Sequence, residues 1–146
     1  MDCHYLKTSR EELPQARIVI DFFHVVQDAN QRISEVRNVI QKVFNVSLPK
    51  KLFEKNREHL NPNERVELNS IFKAYPELRE LWKVKEQIRS IHKNPSTQLA
   101  AILYGKLLKE MRLSQYPSVK QWAKTLNRWQ DGILAYFTYH TTNGYT

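Results

Sequence analysis

Four carboxylates in the first 35 residues have the side-chain chemistry for metal-dependent phosphoryl transfer. Asp2 and Asp21 flank a segment predicted to form a helix and a strand, and Asp28 and Glu35 lie on the helix predicted to follow. Two carboxylates can bind Mg²⁺ through hard oxygen ligands, and two such ions can stabilise the attacking and leaving oxygens of the transfer. Because the chain holds 15 acidic residues, carboxylate pairs are also expected by chance. For Asp28 and Glu35 the sequence favours a solvated helix face.

The sequence lacks the residue patterns of zinc sites, serine nucleophiles and phosphate-binding loops. The five histidines show none of the close spacing that binds zinc, and His24 is expected to be half-buried at a helix N-terminus. A Gly-x-Ser-x-Gly elbow is absent, and the three glycines are too far apart to cradle a phosphate. The one cysteine, Cys3, is interpreted as a bystander in a reducing compartment. Nucleotide-dependent chemistry is therefore not expected.

The positive charge is concentrated after residue 30. The formal net charge is +8; residues 1–30 carry three basic and five acidic side chains, and residues 31–146 carry twenty and ten. A basic body attracts phosphate backbones and releases their counterions, but a solvated basic surface gives the same sequence pattern. Charge alone leaves both interpretations open. The candidate DNA-contacting side chains are Arg32, Arg37, Lys42, Lys120, Lys124 and Arg128.

The chain pattern predicts a mainly α-helical bundle with a single strand at its head. Residues 5–13 can form a short helix that ends at Pro14, and the β-branched run at 16–21 is typical of a strand. Everything after residue 21 has helical periodicity.

A long helix is predicted to begin at Phe22. Its apolar residues recur at alternating spacings of four and three and form a stripe that needs a partner helix: 22, 26, 29, 33, 36, 40 and 43. Arg32, Arg37 and Lys42 lie off this stripe, so we expect them to face water or a polyanion.

Three further helices are predicted between residues 62 and 112. The segment 61–64 has Asn at the cap, Pro at the first helical position and Glu at the third, and the helix that it opens should end by Tyr75. A second helix, containing Trp82, should stop at Asn94-Pro95. A third should extend from about Ser96 to Arg112.

A capping box at Ser118–Gln121 is predicted to open a long last helix. The expectation is that this helix packs antiparallel to the one at 22–44, and that its aromatic residues belong to the core instead of a binding surface. The stripe that supports this expectation consists of Val119, Trp122, Leu126, Trp129, Ile133 and Tyr136/Phe137.

Short motifs near both ends of the chain resemble one protein family. The chain contains Asp2-Cys3-His4-Tyr5, then Leu13-Pro14-Gln15-Ala16, then Asp21-Phe22-Phe23-His24-Val25-Val26, and finally Thr142-Asn143-Gly144. In this order they resemble the ISL-type bacterial insertion-sequence transposases with a DDE catalytic domain. That family has Asp-x-x-x-Tyr, Leu-Pro-x-Ala and Asp-x-Phe-His-Val-Val, a basic helical insertion, and Thr-Asn-Gly before a catalytic glutamate. The resemblance covers essentially the whole chain.

The resemblance implies a ribonuclease-H-like core in the complete protein and Mg²⁺-dependent cutting and joining of transposon DNA. It places Asp2 as the second catalytic aspartate and a metal ligand, and Asp21, after the predicted strand, as the reserve candidate. It also divides the chain into a core remnant at 1–21, a helical insertion domain at 22–140, and a lead-in to the glutamate helix at 141–146.

The family pattern places its first aspartate before Met1 and its glutamate after Thr146, so the resemblance implies a truncated transposase that is inactive alone. Two alternatives remain open: a non-catalytic helical module that binds nucleic acid, and a bundle that regulates full-length transposase through the stripe at 22–43. The expected partners are transposon-end DNA and copies of the transposase. Apolar runs stay well short of the roughly 20 residues that span a bilayer, and the start has no signal-peptide pattern, so a cytoplasmic location is expected.

Overall fold

The fold of residues 20–142 is mainly helical. The computed structural model describes these residues, with side chains up to residue 135. A short 3₁₀ turn, Arg57–His59, joins the second and third helices. The helices are α1 (Phe22–Phe44), α2 (Lys50–Glu54), α3 (Pro62–Ala74), α4 (Pro76–His92), α5 (Thr97–Arg112) and α6 (Pro117–Thr142).

The predicted helix at 5–13, most of the predicted strand at 16–21 and Asp2 lie outside the described residues. Ile20 and Asp21 are themselves in neither helix nor strand. The Ile20 amide donates a 3.0 Å hydrogen bond to the Gly132 carbonyl, and the Ile20 side chain is almost fully buried. The residue pair that precedes α1 therefore packs against the middle of α6 through Ile20.

Helix α1 begins and ends as its local sequence directs. The Asp21 side chain accepts a 3.0 Å hydrogen bond from the His24 amide, which is the ordinary role of an N-cap carboxylate. The helix ends at Asn45, which adopts the left-handed conformation at φ 52°. Asparagine tolerates that conformation better than most residues, so it can close the helix without glycine.

The buried face of α1 differs in part from the predicted stripe. Ala29, Ile33 and Ile40 are buried as expected, but Val25 occupies the core in place of the half-buried Val26, and Val43 is 68% exposed. The main partner of α1 is α4, which covers a face rotated slightly from the predicted one.

Helix α3 begins at the predicted capping box. The Glu64 amide donates a 2.8 Å hydrogen bond to Asn61 Oδ1, and the Asn61 amide donates a 3.0 Å bond to Glu64 Oε1. Pro62 occupies the first turn, where its missing N–H leaves no hydrogen bond unmade. The predicted ends of α3, α4 and α5 agree with the structure to within a residue or two.

The predicted capping box of α6 is wrong. The helix begins at Pro117, one residue before Ser118, and the Lys120 amide donates to the Tyr116 carbonyl. Ser118 therefore lies inside the first turn, and its hydroxyl donates a 2.6 Å hydrogen bond to Glu77 Oε2 at the start of α4. The Ser118 hydroxyl, which the sequence predicted as a helix cap, instead makes a tertiary contact with α4.

The apolar stripe of α6 is core, as predicted. Its aromatic residues Trp122 and Trp129 are at most 1% exposed, and Tyr104 of α5 donates a 3.2 Å hydrogen bond from its buried hydroxyl to the Leu126 carbonyl. The predicted partner is only partly correct: α6 packs mainly on α5, its neighbour along the chain, and makes a smaller contact with α1. Tyr136 and Phe137 lie outside the described side chains.

Candidate nucleic-acid interface

Arg37, a predicted DNA-contacting residue, is buried. Only 9% of it is exposed, and its guanidinium donates hydrogen bonds to the Leu48 carbonyl at 2.8 Å, to Gln41 Oε1 at 3.1 Å and to Asn38 Oδ1 at 3.1 Å. The Gln41 side chain in turn accepts a 2.8 Å hydrogen bond from the Leu48 amide. The expectation that Arg37 faces solvent is wrong, because the loop after α1 needs donors for its backbone and Arg37 supplies them.

Arg32 is only partly exposed, and its guanidinium is bound by groups of the bundle. Its Nε donates at 2.8 Å to Asp28 Oδ2, and its Nη2 donates at 2.9 Å to Thr125 Oγ1 of α6. The guanidinium carbon also lies 6.0 Å from the centroid of the Trp122 ring. Asp28 is 6% exposed, so its predicted solvated position is wrong as well. A carboxylate buried to this extent needs a cation beside it, and Arg32 is that cation.

The metal-ligand candidates are not brought together in the described part of the chain. Asp21 caps α1 and lies 3.9 Å from His24 Nε2. Glu35 is exposed and accepts a hydrogen bond from Gln31. Among residues 20–135 there is no cluster of three or more His, Cys, Asp or Glu side chains with the geometry for a metal ion. These residues do not fit a Mg²⁺ site by themselves, and Asp2 lies outside them.

The other predicted DNA-contacting residues are exposed. Lys42 lies in the last turn of α1, where its charge complements the helix C-terminus. Lys120, Lys124 and Arg128 lie on the outer surface of α6 and follow one another at spacings of four residues, which places them in one row.

Three exposed cations of the neighbouring helix α5 were missed. Lys106, Lys109 and Arg112 are exposed at spacings of three, and the Arg112 guanidinium donates a 3.2 Å hydrogen bond to Asn127 Oδ1, between Lys124 and Arg128. The i, i+3 spacing of the α5 cations is visible in the sequence and could have found them. We call the combined surface the hairpin basic face: Lys106, Lys109, Arg112, Lys120, Lys124 and Arg128.

Few acidic groups neutralise the hairpin basic face. Within residues 97–135 the only carboxylates are Glu110 and Asp131. In that stretch none of the six cations has an ion-pair partner within 4.0 Å among the side chains that the structure describes. The face is therefore electrostatically suited to a polyanion.

The chain also matches the model of a known protein family. The model of the ISL3-type DDE family, whose members are described as transposases, matches residues 1–146. The chain belongs to the ISL3 family of DDE transposases. Transposases act on DNA, so membership in this family makes DNA the expected substrate.

Two other comparisons gave no match for this transposase, one with curated proteins and one with solved structures. Among the described residues, none of the helices is long and apolar enough to cross a membrane.

A second basic region of the transposase lies between α3 and α4. It is a cleft of about 610 Å³ with an apolar floor that includes Phe72 and Trp82. We call it the α3–α4 cleft, and its basic lining residues are Arg57, Arg65, Arg79 and Lys83.

An ion-pair cluster borders the α3–α4 cleft. Arg89, of which 8% is exposed, donates to both carboxylate oxygens of Glu86, at 2.8 and 3.1 Å, and also bonds to the carboxylate of Glu58. The hydrogen bond from Arg89 is the main reason that the pKa of Glu58 is lowered to about 2. Glu86 and Glu58 therefore both pair with Arg89 and do not neutralise the other cations of the cleft.

Proposed function

We propose that residues 22–142 form the helical domain of a transposase that cuts and joins transposon DNA, and that the hairpin basic face contacts the phosphate backbone. The observation that supports this proposal is the hydrogen bond from Arg112 to Asn127, which brings the last of the exposed α5 cations beside the exposed cations of α6. Contacts from such a surface position a duplex without reading its sequence.

The test is binding to transposon-end duplex DNA over a range of salt concentrations. We expect the double substitution Lys120→Gln/Lys124→Gln to weaken binding about tenfold near 0.1 M salt and to lower the salt slope by roughly 0.9 for each phosphate that the variant no longer neutralises. Both residues are exposed, so the fold should be unaffected.

The matched control is Lys50→Gln/Lys51→Gln on α2, which removes two exposed charges from a different helix. We expect this variant to bind within about twofold of the unsubstituted protein, since only the general field is reduced. Equal reductions in affinity in the two double variants would show that net charge, not the hairpin basic face, drives binding, and the proposal would be rejected.

For the catalytic step, we propose divalent-metal-dependent phosphoryl transfer with Asp2 as a ligand. The support is the family membership together with the position of Asp21, whose side chain is already used as a helix cap. We propose that this chain does not cleave DNA by itself, so the assay is Mg²⁺-dependent nicking by a transposase that carries the complete DDE set. There, Asp2→Asn should abolish cleavage and leave DNA affinity intact. Asp21→Asn keeps a good N-cap and should retain cleavage; loss of cleavage in that variant instead would make Asp21 the ligand.

The regulatory alternative requires the apolar stripe of α1 as a surface for a second protein. Ile33 at the centre of that stripe is 1% exposed and belongs to the core of this chain, which favours DNA binding over that alternative.

A further inference from the structure

The α3–α4 cleft has four cations without neutralising partners. Arg57, Arg65, Arg79 and Lys83 are all exposed, and within the described part of the chain none has an ion-pair partner within 4.0 Å. The one carboxylate that lines the cleft, Glu86, is bound by Arg89. An anionic group that enters the cleft would therefore meet concentrated positive charge.

The floor of the cleft has a different chemistry from its rim. It is formed by the apolar side chains of Leu60, Leu68, Phe72 and Trp82. The Phe72 and Trp82 rings are in contact, with centroids 5.6 Å apart, and Phe72 also packs near Phe53. These side chains are only 2–9% exposed, so most of each one is packed in the core and only its edge forms the floor.

Cations above an apolar floor fit a ligand that has both a phosphate and a planar, weakly polar part. Arginine binds phosphate through its planar fork and can also stack on a base. The volume of about 610 Å³ lies within the range of sites for small ligands, which is roughly 300–1,000 Å³. A duplex would offer phosphates to the rim but would leave the floor uncovered, because its bases are stacked inside.

We propose that the α3–α4 cleft binds an unpaired nucleotide of the DNA substrate. Its phosphate contacts Arg57, Arg65, Arg79 or Lys83, and its base lies over the apolar floor. The inference rests on the proposed DNA function, but it concerns a different surface from the hairpin basic face and a different state of the DNA.

The test compares a blunt duplex with the same duplex carrying an unpaired tail of six thymidines, by fluorescence anisotropy. We expect the full chain to bind the tailed probe about tenfold more tightly, which is the scale of one base stacked on a protein surface. Arg65→Gln/Arg79→Gln should remove this gain and leave the affinity for the blunt duplex within about twofold. Arg65→Lys/Arg79→Lys, which keeps the charge but not the guanidinium planes, should retain only part of the gain.

Two controls separate this proposal from the proposed DNA function. Lys50→Gln/Lys51→Gln, with the same reduction of charge, should keep the full gain. Lys120→Gln/Lys124→Gln should weaken both probes equally, since it acts on the duplex. The blunt probe alone therefore reports on the hairpin basic face, and the ratio of the two probes reports on the cleft.

Three outcomes would overturn the proposal. One is an equal affinity of the unsubstituted chain for both probes. Another is an equal reduction in affinity for both probes in Arg65→Gln/Arg79→Gln, which would mean that the cleft also binds duplex DNA. The last is displacement of the tailed probe by hexaglutamate but not by a free six-thymidine strand, which would identify an acidic peptide as the ligand.

Discussion

Arg32 of α1 and Thr125 of α6 are joined by a 2.9 Å hydrogen bond between residues 93 positions apart in the chain. The same guanidinium pairs with the buried carboxylate of Asp28. A cation that the sequence assigned to DNA is thus part of the contact between the first and last helices.

Arg32→Gln should destabilise the protein. The substitution removes the partner of Asp28 and the hydrogen bond to Thr125, and a buried charge left alone is more destabilising than the pair was stabilising. Because the Arg32 side chain is 22% exposed and that of Asp28 is 8% exposed, we expect a decrease of about 2 kcal/mol in the free energy of unfolding. Urea denaturation measures it.

The control for Arg32 is Arg128→Gln, which removes an exposed cation of α6. This variant should change the free energy of unfolding by less than about 0.5 kcal/mol, and it should weaken DNA binding. Unchanged stability together with abolished DNA binding in Arg32→Gln would mean that Arg32 contacts DNA after all.

Lys85 should make stability depend on pH in the alkaline range. It is 1% exposed, its Nζ donates at 2.9 Å to the Phe53 carbonyl and at 3.2 Å to Asn30 Oδ1, and burial lowers its pKa to about 8 from 10.5. Between these values the unfolded chain holds more protons than the folded one, so this group makes the free energy of unfolding rise with pH. From pH 7 to pH 10 the rise should be about 2 kcal/mol.

Lys85→Met tests the origin of that rise. In this variant the contribution of residue 85 to the pH dependence should vanish, while the exposed control Lys83→Met on the same helix should keep it. The measurement is the difference in free energy of unfolding between each variant and the unsubstituted protein at several pH values. A difference for Lys85→Met that is constant between pH 7 and pH 10 would contradict the prediction.

Glu58 should make the stability of the fold depend on pH in the acidic range. Its pKa is lowered to about 2 from 4.5, chiefly by the hydrogen bond from Arg89. A depressed carboxyl pKa stabilises the fold fully above pH 4.5, and this stabilisation is lost as the pH falls from 4.5 toward 2. Glu58→Gln should therefore flatten the acid denaturation profile followed by circular dichroism. Glu67→Gln, also exposed on the surface, should leave the profile as steep as before.

The capping box of α3 should contribute to the stability of the protein. Asn61→Ala removes the oxygen that accepts from the Glu64 amide, so the free energy of unfolding should fall by about 1 kcal/mol. Asn63→Ala, in the first turn but without a capping role, is the matched control and should change stability by less than about 0.5 kcal/mol. Equal effects of the two changes would show that the cap does not stabilise α3 in the folded protein.

The helices could be predicted because their signals are local. Asn61 and Glu64 satisfy each other's backbone amides, and Pro62 between them has no amide hydrogen to satisfy, so the start of α3 does not depend on the rest of the chain. The alternation of apolar residues in α6 likewise indicates which face is buried, whatever helix covers it. Membership in the transposase family also followed from short motifs whose order can be read along the sequence.

The partners of these helices could not be predicted in the same way. An apolar stripe on α1 fits any complementary helix, and the choice of α4 in place of α6 depends on how the helices of residues 20–142 fill space together. Ser118 shows the same limit: its spacing to Gln121 is that of a cap, but Glu77, 41 residues away, accepts its hydroxyl.

The chain by itself determined where α1, α3, α4 and α5 begin and end, its excess of basic residues and its family, because each depends on neighbouring residues, composition or motif order. Only the tertiary structure decided which cations remain available. Arg32 pairs with the buried carboxylate of Asp28 and Arg37 donates to the Leu48 carbonyl, whereas Lys106, Lys109 and Arg112 are exposed like the α6 cations. The physical reason is that a charge acts on DNA only where the fold leaves it solvated and unpaired, and distant residues set that condition.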